Sequence, residues 1–79
     1  MADMVGHEIV EHIAVIGGKE KSVKKELNLV SWNNKDAKYD LRPWSADHER
    51  AYKGLTLTHQ EAKDLYHALA KIFKGREDD

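Results

Sequence analysis

The chain has 79 residues, 34% of them charged, with a net charge of −1 and no cysteine. That length suits a single small domain over residues 1–79, with an ordered core about 5–75 and an acidic tail at 76–79, and it excludes disulfide stabilisation. A domain this small buries only about 60% of its unfolded surface, so a lone copy is marginal and oligomerisation would help.

Residues 7–16 are rich in β-branched side chains and stop at Gly17-Gly18, which predicts a first strand. Gly17 to Ser22 forms a polar, lysine-rich turn. Residues 23–33 alternate: one parity holds Leu27 and Leu29, the other Lys24, Glu26, Asn28, Val30 and Trp32. Such alternation predicts a half-buried strand. Asn33-Asn34-Lys35-Asp36 is turn chemistry, because Asn and Asp tolerate turn dihedrals and bond their own backbone. A third strand over about 37–45 puts Tyr39, Leu41 and Pro43 on an apolar face, opposite Lys38, Asp40, Arg42 and Trp44. Pro43 cannot donate to a ladder and so marks an edge, a bulge or a strand end. Residues 45–51 read as a loop and 52–57 as a short fourth strand. Thr58-His59-Gln60-Glu61 is a capping box, and Ala62, Leu65, Leu69, Ile72 and Phe73 follow at helical spacing until Gly75.

The order β-β-β-β-α predicts an α+β fold: a four-stranded antiparallel sheet with a C-terminal helix covering one face. The other face is expected to stay open and to display Trp32, Trp44, Lys38 and Arg42. A second apolar helix edge, Tyr66 and Phe73, is left for a partner subunit.

Enzyme chemistry finds no foothold. His7 and His12 are five apart in a strand, which predicts opposite faces and no metal site. Gly17-Gly18 lacks the remainder of a phosphate loop, and the serines and histidines form no nucleophile–base pattern. No cofactor, metal or small-molecule substrate is expected. No apolar run approaches a membrane span. Met1-Ala2-Asp3-Met4 lacks the basic and apolar parts of a signal peptide, so the expected location is the cytoplasm.

The charge is unevenly spread. Residues 1–18 carry three acids and no Lys or Arg; residues 19–53 carry nine Lys or Arg against six acids; residues 54–79 carry four against five. The basic excess coincides with the aromatic strands. Each tryptophan alone reads as packing. Together they share a parity, opposite Leu27, Leu29, Tyr39 and Leu41, and cations flank both. Cations for phosphates beside flat rings for bases suit a single strand of nucleic acid.

Lys25-Glu26-Leu27-Asn28, Val30-Ser31-Trp32-Asn33, Lys38-Tyr39-Asp40-Leu41-Arg42-Pro43-Trp44 and Lys53-Gly54-Leu55-Thr56-Leu57-Thr58 form a specific set. With them the chain resembles, from about residue 5 to residue 74, the Positive Cofactor Four family of transcriptional coactivators, in its short bacterial YdbC-like branch. The resemblance implies a curved four-stranded sheet followed by a helix, and a homodimer paired through the helices, with Leu65, Tyr66, Leu69, Ile72 and Phe73 at the interface. It also implies single-stranded DNA binding with little sequence preference. Lys38, Arg42, Trp44 and Lys53 are the first contact candidates, and Trp32, Lys24, Lys25 and Asn28 the second. The long Ser- and Lys-rich N-terminal region of the eukaryotic coactivators has no counterpart here, which favours bare strand binding over coactivation through that region. DNA and RNA both offer phosphates and bases, so the choice of DNA comes from the resemblance. The expectation is a non-enzymatic homodimer acting in transcription regulation or in replication and repair. The alternative is a protein–protein interaction module that docks its partner on the aromatic sheet face.

Overall fold

A computed structural model describes residues 6–18 and 22–74. The N-terminal residues 1–5, part of the expected lysine-rich turn (19–21), the Gly75 stop and the tail 76–79 lie outside the described residues. The element order is β1 (His7–Val15), β2 (Lys24–Trp32), β3 (Lys38–Trp44), β4 (Leu55–Leu57) and α1 (His59–Phe73). The strands form one antiparallel sheet in sequence order, an α+β fold.

Local chemistry explains the joints. Between β2 and β3, Asn33 and Asn34 have φ of 56° and 64°, and Lys35 N–H donates to the Trp32 carbonyl at 3.0 Å. Two successive residues at positive φ make the tight hairpin turn that asparagine tolerates. The capping box forms in full: Glu61 N–H donates to Thr58 Oγ1 at 3.1 Å, and Thr58 N–H donates to Glu61 Oε1 at 2.8 Å. The fourth strand is shorter than its apolar pattern suggested, three residues instead of six. Just before it, Gly54 passes so close to β3 that a Cβ would run into Arg42 Cβ and the Leu41 carbonyl oxygen. Only glycine permits that approach.

β1 carries two irregularities. Its register against β2 slips between Ile9 and Glu11 and again between His12 and Ala14. Each slip leaves an extra residue, Val10 and then Ile13, and a bulge of this kind bends and twists its strand. The residues facing Trp32, Val30, Asn28 and Glu26 are consequently His7, Ile9, His12 and Val15. The expectation that His7 and His12 point to opposite faces is therefore corrected, because a bulge between them resets the alternation.

The core also lies on the other face from the one expected. Among the described residues Val30 and Trp44 are the buried apolar ones, beside buried Glu26, Asn28 and Asp40. All five share the face that was expected to stay open. Leu27, Leu29 and Leu41, on the apolar parity, are only half-buried. The helix covers that side only in part: α1 touches β3 and β4 but neither β1 nor β2, and none of its residues is buried.

Candidate nucleic-acid interface

The site begins with strand register. Lys24 pairs with Trp44, so Trp44 sits eight positions along β2 from Trp32. On a flat strand that is about 26 Å at roughly 3.3 Å per residue. The two indole rings nevertheless stack at 6.2 Å between centroids, 13° from parallel. The sheet must curl with this face inside, as the bulges in β1 favour. His7 closes the cluster, its ring 5.6 Å from Trp32 and 5.1 Å from Trp44. His48, held at φ 60° in the loop after β3, covers Trp44 from another side at 5.8 Å.

Curling separates the roles of the tryptophans. Trp44 is wholly buried and is a packing residue in this chain, which corrects the expectation that the face displays it. Its Nε1–H has no hydrogen-bond partner among the described residues. Trp32 keeps part of its ring in solvent.

Asp40 organises the centre. Arg42 Nε donates to its Oδ1 at 2.5 Å and Nη2 to its Oδ2 at 2.7 Å. Trp32 Nε1 and Thr56 Oγ1 also donate to Oδ2, at 3.3 and 3.2 Å. A buried carboxylate with four donors, two of them from one cation, is fully satisfied. The Arg42 guanidinium lies 4.8 Å from the Trp32 ring centroid, a cation–π arrangement. Asp40 thus neutralises Arg42, whose guanidinium lies over the Trp32 ring.

A second polar network surrounds Glu26. His48 Nε2 donates to both carboxylate oxygens, at 2.9 and 3.0 Å, and Asn28 Nδ2 donates to Oε1 at 3.1 Å. His12 Nδ1 donates to Asn28 Oδ1 at 2.8 Å and lies 3.4 Å from Glu26 Oε1. Burial raises the Glu26 pKa, but the bonds from Asn28 and His48 and the charges of the two histidines outweigh it, so the carboxyl sits below its ordinary value. Among the described residues no group of three or more His, Cys, Asp or Glu is placed to hold a metal ion.

The remaining candidates divide. Lys24 lies half-buried on the curled face, beside His12, Glu26 and Trp44 in a cleft that Ile9, Val15 and Ser45 also line. Lys38 is exposed and shares an open groove with Trp32, Lys35, Asp36 and Thr56. Lys53 is exposed just before Gly54. Lys25 pairs with Pro43 on the opposite face, beside Ile16 and Val23, and is separated from this group. Asn28 is buried and spends its amide on His12 and Glu26. Tyr39 faces the helix, its hydroxyl 3.4 Å from His59 Nδ1. Sequence reasoning missed Lys35, which sat inside an apparent turn, and the three histidines His7, His12 and His48, whose convergence depends on the bulges and the loop.

The chain is 31% identical over 67 residues to an uncharacterized protein of Treponema pallidum (strain Nichols), an alignment covering 81% of this chain and 79% of that protein. The chain belongs to the family of that protein. No family model matches the chain. This kinship carries no activity with it, so the functional reading rests on the geometry of the face.

Proposed function

We propose that the chain is a non-enzymatic protein of the cytoplasm that binds single-stranded DNA as a homodimer, with little sequence preference. The observation that carries the reading is the Trp32 groove. A half-buried indole, with the Arg42 guanidinium lying over its ring, stands beside Lys35 and Lys38 and Thr56. The ring and guanidinium offer flat surfaces to bases, while the lysines and Lys24 offer charge to phosphates. A duplex hides its base faces, so this chemistry favours a single strand. The resemblance to the Positive Cofactor Four family supports the same reading and the choice of DNA over RNA. Transcription regulation, or replication and repair, is the setting it suggests.

The homodimer rests on uncovered apolar area. On α1, Leu65, Leu69, Ile72, Phe73 and Tyr66 are all exposed, and Leu55 is 50% exposed at the sheet edge. With Leu27, Leu29 and Leu41 half-buried, the apolar face of this chain is incomplete alone. A second copy, packed through the helices, would cover both surfaces.

Intrinsic tryptophan fluorescence tests the reading. A thymine-only oligonucleotide of about 20 bases should quench it strongly and less so at higher salt, and a duplex should not. Equal, weak effects of both would favour the protein-docking alternative, in which the same face takes a peptide.

A further inference from the structure

The Glu26 network lies on the curled face, two residues along β2 from Lys24, and nothing in the strand-binding reading uses it. Glu26 is 5% exposed, yet two histidines reach it from outside the strand that carries it: His12 from β1 and His48 from the loop after β3. Both keep solvent access, with side chains 51% and 40% exposed. Histidine is the side chain that ordinarily changes charge between pH 5 and 8.

We propose that His12, His48 and Glu26 form a proton-linked part of the polyanion-binding face, one that repels a phosphate backbone when both histidines are neutral and attracts it when both are protonated. The inference rests on the strand-binding reading above. With neutral histidines the cluster carries the single negative charge of Glu26. With both protonated it carries a net single positive charge, beside Lys24. The other charged groups around it do not cancel this change. Lys24, on β2, lines the same cleft as His12, Glu26 and His48. Arg42, the β3 residue paired with Glu26, turns its guanidinium to Asp40. Asp47 sits in the loop beside His48, with its Oδ1 accepting from Ser45 Oγ and Glu49 N–H. Those bonds hold the Asp47 pKa below its ordinary value, so it stays anionic over this range.

By linkage, a strand that prefers the protonated cluster must take up protons when it binds. The probe is a thymine-only oligonucleotide, because thymine has no group that changes charge in this range. Its affinity for the full chain is measured at about pH 5.5 and about pH 8, and proton uptake at about pH 6.5 is read by calorimetry in buffers of different ionisation enthalpy. Affinity should be about tenfold tighter at the lower pH, with net proton uptake. The double variant H12Q/H48N should lose most of both effects; Asn suits the positive φ of His48 and Gln keeps a donor for Asn28. Binding with equal affinity at both pH values and no proton uptake overturns the inference alone. An unchanged pH dependence in the double variant overturns it too. Absence of binding at either pH overturns the strand-binding reading and the inference with it. Proton uptake is measured on the natural chain, so the test stands even if the double variant does not fold.

Discussion

Arg42 closes on the Asp40 carboxylate with two hydrogen bonds, of 2.5 and 2.7 Å, while its Cζ rests 4.8 Å from the Trp32 ring centroid. The pair is close to fully desolvated, with side chains 17% and 0% exposed. Removing one partner of such a pair leaves a buried, uncompensated charge. Asp40→Ala should therefore destabilise the fold by about 3–5 kcal/mol, seen as a lower midpoint in chemical denaturation. A loss below about 1 kcal/mol would mean that the pair behaves like an exposed surface contact.

The two tryptophans should separate in a stability and binding comparison. Trp44 is wholly buried, so Trp44→Ala should cost about 3–5 kcal/mol of stability. Trp32 is partly exposed at the groove, so Trp32→Ala should weaken single-strand binding by the roughly 1–3 kcal/mol of one stacked base while disturbing the fold less. Denaturation midpoints and titrations on the same two variants check both halves. The reverse pattern would put the platform at Trp44.

The uncovered helix stripe makes a prediction about mass. Leu69 is 42% exposed and Ile72 50%. If a second copy covers them, sedimentation of the natural chain should give a dimer, and Leu69→Asp should give a monomer by placing a charge in the desolvated interface. A natural chain that sediments as a monomer at micromolar concentration would leave this face to another partner.

Glu26 gives a pH signature in stability. Its pKa is lowered in the folded chain. The stabilisation it brings is complete above the ordinary carboxylate value and is lost as the pH falls through the lowered value. Glu26→Gln lacks that titration. The difference in thermal midpoint between the natural chain and this variant should be largest near neutrality and shrink in acid. A constant difference across the range would show that the carboxyl titrates alike in the folded and unfolded chain.

The legible parts of the fold were those set by local chemistry. The Asn33-Asn34 turn, the Thr58–Glu61 capping box and the alternation of β2 and β3 all depend on residues within a few positions of each other. The curl of the sheet depends on none of these. It follows from the slips around Val10 and Ile13, and a run of β-branched residues gives no sign of which member is extra. Parity placed Trp32 and Trp44 on one face correctly. It could not show that the face would close on Trp44, nor that Arg42 would spend its charge on Asp40 two residues away. The histidines were invisible for the same reason: His7 and His12 share a face only because of a bulge, and His48 reaches Glu26 only through a loop at positive φ. The apolar residues Leu27, Leu29 and Leu41 look like a core in the sequence. In the single chain they are half-covered, because the helix that should shield them touches only β3 and β4.

Amide and indole chemical shifts of the isotope-labelled chain, followed on addition of a thymine-only oligonucleotide, would locate the strand on the protein. A strand held at the Trp32 groove should shift the Trp32 indole N–H, Lys24, Lys35, Lys38 and Thr56 and leave α1 unaffected. Shifts confined to α1 and the Leu27–Leu41 face, or none at all with the protein folded, would rule out strand binding on the curled face.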